Sequence, residues 1–180
     1  LSDMFGTSRT TSRNLMERLT AQQFLVTVSP RITRVAPLTL LEIKQNFALR
    51  RTLVPEMAAL SAAKLDFDAL TALQQEMTKH LPANNDEETL MALKANQAFN
   101  LTICSHAGYP LMLHWHKQLE DTALRIYWFY LKTNHAFPYT MEQEAALIAL
   151  MKTGNSAQIK KALTDNLSQT EDQVLSSIFA

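Results

Sequence analysis

The sequence predicts a mostly α fold: a short helix-and-ribbon head followed by an antiparallel all-helical bundle of about six helices. Three observations carry this. Only 3 glycines and 6 prolines interrupt 180 residues, so long helices form easily and hairpin-rich architectures are disfavoured. From Thr39 onward, every apolar pattern has helical spacing. Near the start, two short β-like runs flank one tight turn. With 47% hydrophobic residues, the chain can build one ordinary core and a small appendage.

In chain order, Ser8 is placed to N-cap a helix that runs to about Ala21, with Leu15, Met16 and Leu19 spaced for one buried side. Leu25–Val28 and Ile32–Val35 follow as strands around Ser29, Pro30 and Arg31, the pattern of a wing. Leu40, Ile43, Phe47 and Leu53 make a helical stripe that meets Pro55, where a kink or a new helix start is expected. A helix follows from about Asp66 to His80, ended by the linker Leu81 to Asn84. Asn85 with Glu88 three residues on opens a helix that runs to Ala107 and stops at Gly108. Tyr109 and Pro110 begin another, to about Thr133. Thr140 with Gln143 caps a fifth, ended by Gly154. Asn155 starts a sixth that runs to the C-terminus.

Net charge is zero, but its distribution is uneven. Residues 1–36 carry five arginines (Arg9, Arg13, Arg18, Arg31, Arg34) against Asp3 and Glu17, a surplus of three that the remainder cancels. Arginine's planar fork suits phosphates and guanine edges. A basic end joined to a mildly acidic body fits a nucleic-acid reader on a sensor. A single cysteine, Cys104, excludes an internal disulfide framework and suits the cytoplasm. No apolar run has the length of a membrane span, and nothing near Leu1 has the pattern of a secretory leader.

The run Gly6-Thr7-Ser8-Arg9-Thr10-Thr11-Ser12-Arg13-Asn14-Leu15-Met16 resembles the turn and recognition helix of GntR-family repressors, where Gly-x-Ser-Arg-Thr-Pro-Val-Arg-x-Ala-Leu is typical. The wing follows at the family's distance and ends in Val35-Ala36-Pro37-Leu38, as the family's does. The resemblance implies a partial winged helix-turn-helix over residues 1–37. Ser8, Arg9, Thr10, Arg13 and Arg31 would touch operator DNA, with Arg9 and Arg13 one helical turn apart. The family's first helix, first strand and most of its second helix have no counterpart, so the chain resembles an N-terminally truncated member. Ile32 replaces the family's wing glycine and Thr11 its proline.

Residues 38–180 resemble the FadR-type (FCD) ligand-binding and dimerisation domain. Arg50-Arg51-Thr52-Leu53-Val54-Pro55 is similar to its Arg-x-x-Leu-Glu-Pro. Phe99-Asn100 through Gly108-Tyr109-Pro110-Leu111 matches its Phe-His…Gly-Asn-Pro-Leu in spacing, and Glu144 through Gly154-Asn155 matches its His…Gly-Asp. Many such domains hold a divalent metal with an Asp, a His four residues later, and two further His. Those positions fall on Asn96, Asn100, Glu144 and Asn166, and none keeps the family's residue. Amide oxygens are poor ligands for zinc or nickel, so the expectation is no metal and no cofactor. The four residues sit on apolar stripes of three helices and should converge. They form either a hydrogen-bonded polar network or the floor of a ligand pocket. Arg50, at the position of a pocket-facing arginine, needs a counter-anion: a ligand carboxylate or phosphate, or a salt bridge to Glu144 or another acid.

An enzyme is disfavoured. His114 and His116 are two apart and face different sides of a helix, unlike a zinc hydrolase pair. His80, His106 and His135 lie near helix ends, where caps and solvated side chains are usual. Cys104 sits on a core stripe. The aromatic run Tyr127 to Tyr130 covers all sides of its helix, as burial in a core or dimer, or pocket lining, would require. The expected function is a cytoplasmic, homodimeric, DNA-binding transcriptional regulator of the GntR family, FadR subfamily, sensing a small organic effector, carboxylates among the candidates. The alternative is a helical dimerisation or interaction module with no effector.

Overall fold

The structure is a computed structural model, and it describes residues 6–178. The chain divides at Thr39–Leu40 into two compact units. Among the described residues, no helix is long and apolar enough to cross a membrane.

The first unit is one helix and one ribbon. Helix α1 spans Arg9–Ala21, and its N-cap is Ser8, whose Oγ accepts from the Thr11 amide at 3.0 Å. That bond satisfies one of the orphan amides of the first turn. The chain reverses through Gln23, at φ 63, and the Phe24 amide donates back to the Leu19 carbonyl at 2.9 Å. Strands β1 (Leu25–Ser29) and β2 (Ile32–Val35) pair antiparallel, Leu25 opposite Val35, with a register shift between Thr27 and Ser29. The expected buried side of α1 is not closed among the described residues. Leu15 is 41% exposed, and Met16 and Leu19 are half-buried. A thirteen-residue helix and two short strands have too little apolar surface to enclose one another.

The second unit is all helical: α2 (Leu40–Ser61), a 3₁₀ turn (Ala62–Lys64), α3 (Phe67–Lys79), α4 (Asp86–Cys104), α5 (Pro110–Asn134), α6 (Met141–Lys152) and α7 (Ser156–Ile178). Helix α2 is central and packs against α4, α5 and α7, while α3 packs on α4 and α6. Phe47, Met57, Leu70, Met77, Leu93, Phe99, Ile103, Ile126, Tyr127 and Met151 are fully buried and form the core. Each such side chain contributes roughly 1.5–3 kcal/mol by leaving water.

The helix starts follow their caps. Asp66 Oδ1 accepts from the Asp68 and Ala69 amides. Asn85 Oδ1 accepts from Glu88, whose own carboxylate accepts from the Asn84 amide at 2.8 Å. Thr140 and Gln143 form a complete capping box. Gly108 and Gly154 lie at φ 80 and 67, left-handed conformations that stop the chain from continuing the preceding helix.

Two expectations change. Helix α4 ends at Cys104, before Ala107, because the Ser105 and Ala107 amides turn back three residues to Thr102 and Cys104 in tight closing turns. Of the kink or new helix start expected at Pro55, the new start is overturned: α2 runs through it as one element. Pro55 removes one amide donor, but the surrounding turn buries Val54, Met57 and Ala58, which offsets the loss. The buried side of α2 is Ile43, Asn46, Phe47, Arg50, Val54, Pro55, Met57, Ala58 and Ser61. Leu40 is exposed and Leu53 only half-buried.

Candidate functional site

In the first unit, Ser8, Arg9, Thr10, Arg13 and Arg31 are all exposed. Arg9 and Arg13 stand one turn apart on α1, and Arg31 occupies the ribbon's turn. Ser8 is tied up as the helix cap. Arg13 Nε donates to Glu17 Oε1 at 2.9 Å, in a pair that is 81% and 63% exposed. Such a pair is worth little and yields easily to a stronger anion. An open groove of about 900 Å³ runs between helix and ribbon, lined by Arg9, Arg13, Met16, Thr27 and Thr33 among others. These groups can meet phosphates and base edges.

In the second unit, polar groups meet inside the bundle. Asn46 and Arg50 lie one turn apart on the buried side of α2, and His116 and Glu120 likewise on α5. Arg50 Nη2 lies 3.0 Å from Glu120 Oε1, with the two side chains only 4% and 1% exposed. Arg50 Nη1 donates to the Tyr127 hydroxyl at 3.0 Å, and its guanidinium stands 5.8 Å from that ring's centre. Burial alone would make Arg50 easier to deprotonate; Glu120 and the Tyr127 oxygen outweigh it and hold the guanidinium above its ordinary value. Asn100 Nδ2 donates to Glu120 Oε2 at 3.0 Å. His116 Nε2 donates to the Asn100 carbonyl at 3.1 Å. The counter-anion of Arg50 is therefore Glu120, not Glu144.

Beside this network is a cavity of about 50 Å³. Arg50, Asn100, Tyr127, Tyr139, Glu144, Asn166 and Thr170 contribute to its wall, with Val54, Ile103 and Leu147 as apolar lining. Three of the four residues expected to converge do so: Asn100, Glu144 and Asn166. Asn96 does not line the cavity. It is buried on α4, and its Oδ1 accepts from the hydroxyl of Tyr139, which does line it. Tyr139 stacks on Phe137 at 5.2 Å, and both rings meet Tyr127 edge-on.

Glu144 is the least satisfied member. The side chain as a whole is half-buried, but its Oε2 is out of solvent contact and meets no hydrogen-bond donor. Burial pushes its carboxyl up to about 7, although Arg50 pulls the other way. Burial also raises the Tyr139 phenol well above its usual range, with Glu144 adding to it. Arg50 Nε, Asn46 Oδ1 and His116 Nδ1 are further buried polar atoms without a partner, and Glu120 Oε1 makes no hydrogen bond although Arg50 Nη2 stands beside it.

The donor set does not fit a transition metal. Asn96 Oδ1 already accepts from Tyr139, and Asn100 turns its amide nitrogen toward Glu120. That leaves amide oxygens and one carboxylate, with no imidazole or thiolate. Among the described residues, no group of three His, Cys, Asp or Glu could hold a metal ion. Burial raises the Cys104 thiol far above its ordinary value, so it stays protonated in the core.

Sequence reasoning missed Glu120, His116, Tyr139 and Thr170. A signal existed for two of them. His116, Glu120, Ala123, Tyr127 and Leu131 share one helical stripe, and a charged residue there requires a buried partner. His114, two positions away, is exposed and bonds Gln118, as the spacing predicted. His80 and His135 are helix C-caps, and the ring of His135 reaches the Ala83 carbonyl at 2.9 Å.

The FCD domain family matches residues 45–169. No curated protein matches the chain. Its fold is similar to that of several solved structures. McbR/YncC of E. coli is 18% identical with a TM-score of 0.82, over 98% of this chain and 84% of that one. GntR from Rhodococcus sp. RHA1 is 15% identical with a TM-score of 0.76, again over 98% and 84%. A GntR-family transcriptional regulator from Pseudomonas syringae pv. tomato str. DC3000 is 22% identical with a TM-score of 0.62, over 98% and 74%. These likenesses establish the fold: a helical bundle preceded by a helix and ribbon.

Proposed function

The chain belongs to the FCD domain family, and from that premise we propose that it is a cytoplasmic, DNA-binding transcriptional regulator whose helical unit senses a small polar organic effector without a metal. The observation that carries this reading is the cavity between α2, α4, α5, α6 and α7, with a carboxylate oxygen and an arginine nitrogen that no protein group satisfies. Buried polar atoms without partners are rare, and a ligand that supplies the partners gains the full difference. The likeness to GntR-type regulators across nearly the whole chain supports the DNA-binding half.

In this reading residues 1–37 are the DNA-binding end and residues 38–180 the sensor. Arg9, Thr10, Arg13 and Arg31 meet phosphates or base edges, while Ser8 holds the start of the reading helix. Arg50, Asn100, Glu144 and Asn166 hold the effector, and Asn96 positions Tyr139. An effector changes DNA affinity only if it binds two arrangements of the protein unequally. One reading head per chain calls for two half-sites and hence a C₂ homodimer. The exposed Leu111, Trp115 and Phe129 on α5 offer apolar surface for a second copy.

The interaction-module reading has its own support: Glu120 already pairs with Arg50 and accepts from Asn100, and Asn96 accepts from Tyr139. One experiment separates the two. In the intact protein, Asn166→Leu fills the cavity wall without touching the Arg50–Glu120 pair. Wild-type melting temperature with lost effector response, by gel shift on operator DNA, supports the sensor. DNA binding that no small molecule alters, in wild type or variant, supports the module. A monomer by light scattering at tens of micromolar counts against both.

A further inference from the structure

We propose that the effector enters this pocket through an ammonium group, which pairs with Glu144 beside Tyr127 and Tyr139. The proposal rests on the sensor reading and names the chemistry of its ligand. It sets aside the ligand carboxylate or phosphate that was one of the counter-anions open to Arg50.

The charges around the cavity decide the sign. Arg50 is the cation among the described lining residues, and two of its three nitrogens are engaged: Nη2 faces Glu120 and Nη1 donates to Tyr127, while Nε is buried without a partner. A carboxylate ligand could take only the single N–H of Arg50 Nε; a bidentate grip would have to draw the guanidinium away from Glu120. That grip would leave Glu120 buried with only the Asn100 amide, an arrangement that costs more than the new pair returns. The same carboxylate would also face Glu144, and like charges at close range repel.

An ammonium meets none of these obstacles. Glu144 lines the cavity, and its Oε2 is buried without a donor. Pairing it breaks no existing bond. The remaining N–H groups of an ammonium can reach acceptors in the same wall, the side-chain oxygens of Asn100, Asn166 and Thr170. Tyr127 and Tyr139 contribute aromatic wall beside Glu144, their rings 6.4 Å apart and edge to face. Burial, which raises the Glu144 carboxyl toward neutrality in the empty protein, is the same desolvation that strengthens its pairing with a cation.

Size narrows the class. About 50 Å³ compares with a share of about 30 Å³ for one molecule of liquid water. The cavity thus admits a head group of a few heavy atoms, of aminomethyl or aminoethyl size.

The test uses three probes of nearly equal size: propylammonium, propionate and 1-propanol. Each is titrated at about pH 8, where Glu144 is ionised, into isotope-labelled protein at constant ionic strength. The signals read are the Asn100 and Asn166 side-chain amides and the Ile103 methyls. The expected result is saturable shifts with propylammonium, at least about tenfold tighter than with either other probe. Glu144→Gln should remove that preference while its own spectrum and melting temperature report a folded protein. If propionate or propanol binds these positions as tightly as propylammonium, the ammonium assignment is overturned and the pocket reading stands. If propylammonium binding survives in Glu144→Gln, the assignment is likewise overturned. If none of the three probes moves these signals, both the assignment and the pocket reading fail.

Discussion

Replacing Glu144 by Gln should make the ligand-free protein more stable, and only above a certain pH. The carboxyl titrates near 4.5 in an unfolded chain and is pushed up to about 7 in the folded one. Below about 4.5 both states carry the proton, and the carboxyl costs nothing. Between 4.5 and about 7 the folded state keeps a proton that the unfolded state releases, so stability falls as pH rises. Above about 7 the full cost is present. At about 1.4 kcal/mol per pH unit, that window bounds the cost at about 3 kcal/mol. Because the side chain as a whole is half-buried, solvent screening brings the expectation to about 2 kcal/mol. Gln keeps the shape and removes the charge, and every other titrating group is common to both proteins. Urea unfolding of wild type and Glu144→Gln at about pH 4.5 and pH 8 isolates the difference. The curves should coincide at the lower pH and separate by about 2 kcal/mol at the higher, with the variant more stable. A variant no more stable at pH 8, or a difference independent of pH, would refute the claim that this carboxylate is buried without a partner.

Three further outcomes can be checked. Glu120→Ala strands both Arg50 and Asn100 and should cost about 3–5 kcal/mol by urea unfolding, far more than any exposed pair such as Arg13–Glu17. Arg13→Ala in the intact protein should weaken specific operator binding by about 1–3 kcal/mol if it reads a base, and Arg9→Ala should weaken binding to all sequences alike; unchanged gel-shift affinity for both removes α1 from the DNA interface. Elemental analysis of protein purified without chelator should find no stoichiometric zinc, nickel or manganese, because Asn96, Asn100, Glu144 and Asn166 provide no imidazole; near one metal per chain refutes the donor argument.

Local chemistry made the elements legible. The caps at Ser8, Asp66, Asn85 and Thr140 each satisfy amides within three residues, so chain-neighbour rules suffice to place those starts. The stripe of α2 was harder, since its buried side includes Asn46, Arg50 and Ser61. A reading that follows apolar residues alone drifts to Leu40 and Leu53. The same bias hid Glu120 and His116, which occupy core positions on α5 that hydrophobic patterning assigns to leucines.

What the sequence determined by itself was the order and starts of the helices, the ribbon after α1, and the convergence of Asn100, Glu144 and Asn166. All follow from short-range spacing or from a motif resemblance in fixed order. What only the tertiary structure decided was which charge answers which. Arg50 and Glu120 are 70 positions apart and belong to different helices, and no local pattern distinguishes Glu120 from Glu144 as the partner. That choice belongs to three-dimensional packing, because ion pairing inside a core depends on distance and desolvation, neither of which is written in sequence separation. It also sets the character of the pocket: with Arg50 neutralised, the charge left facing the cavity is that of Glu144.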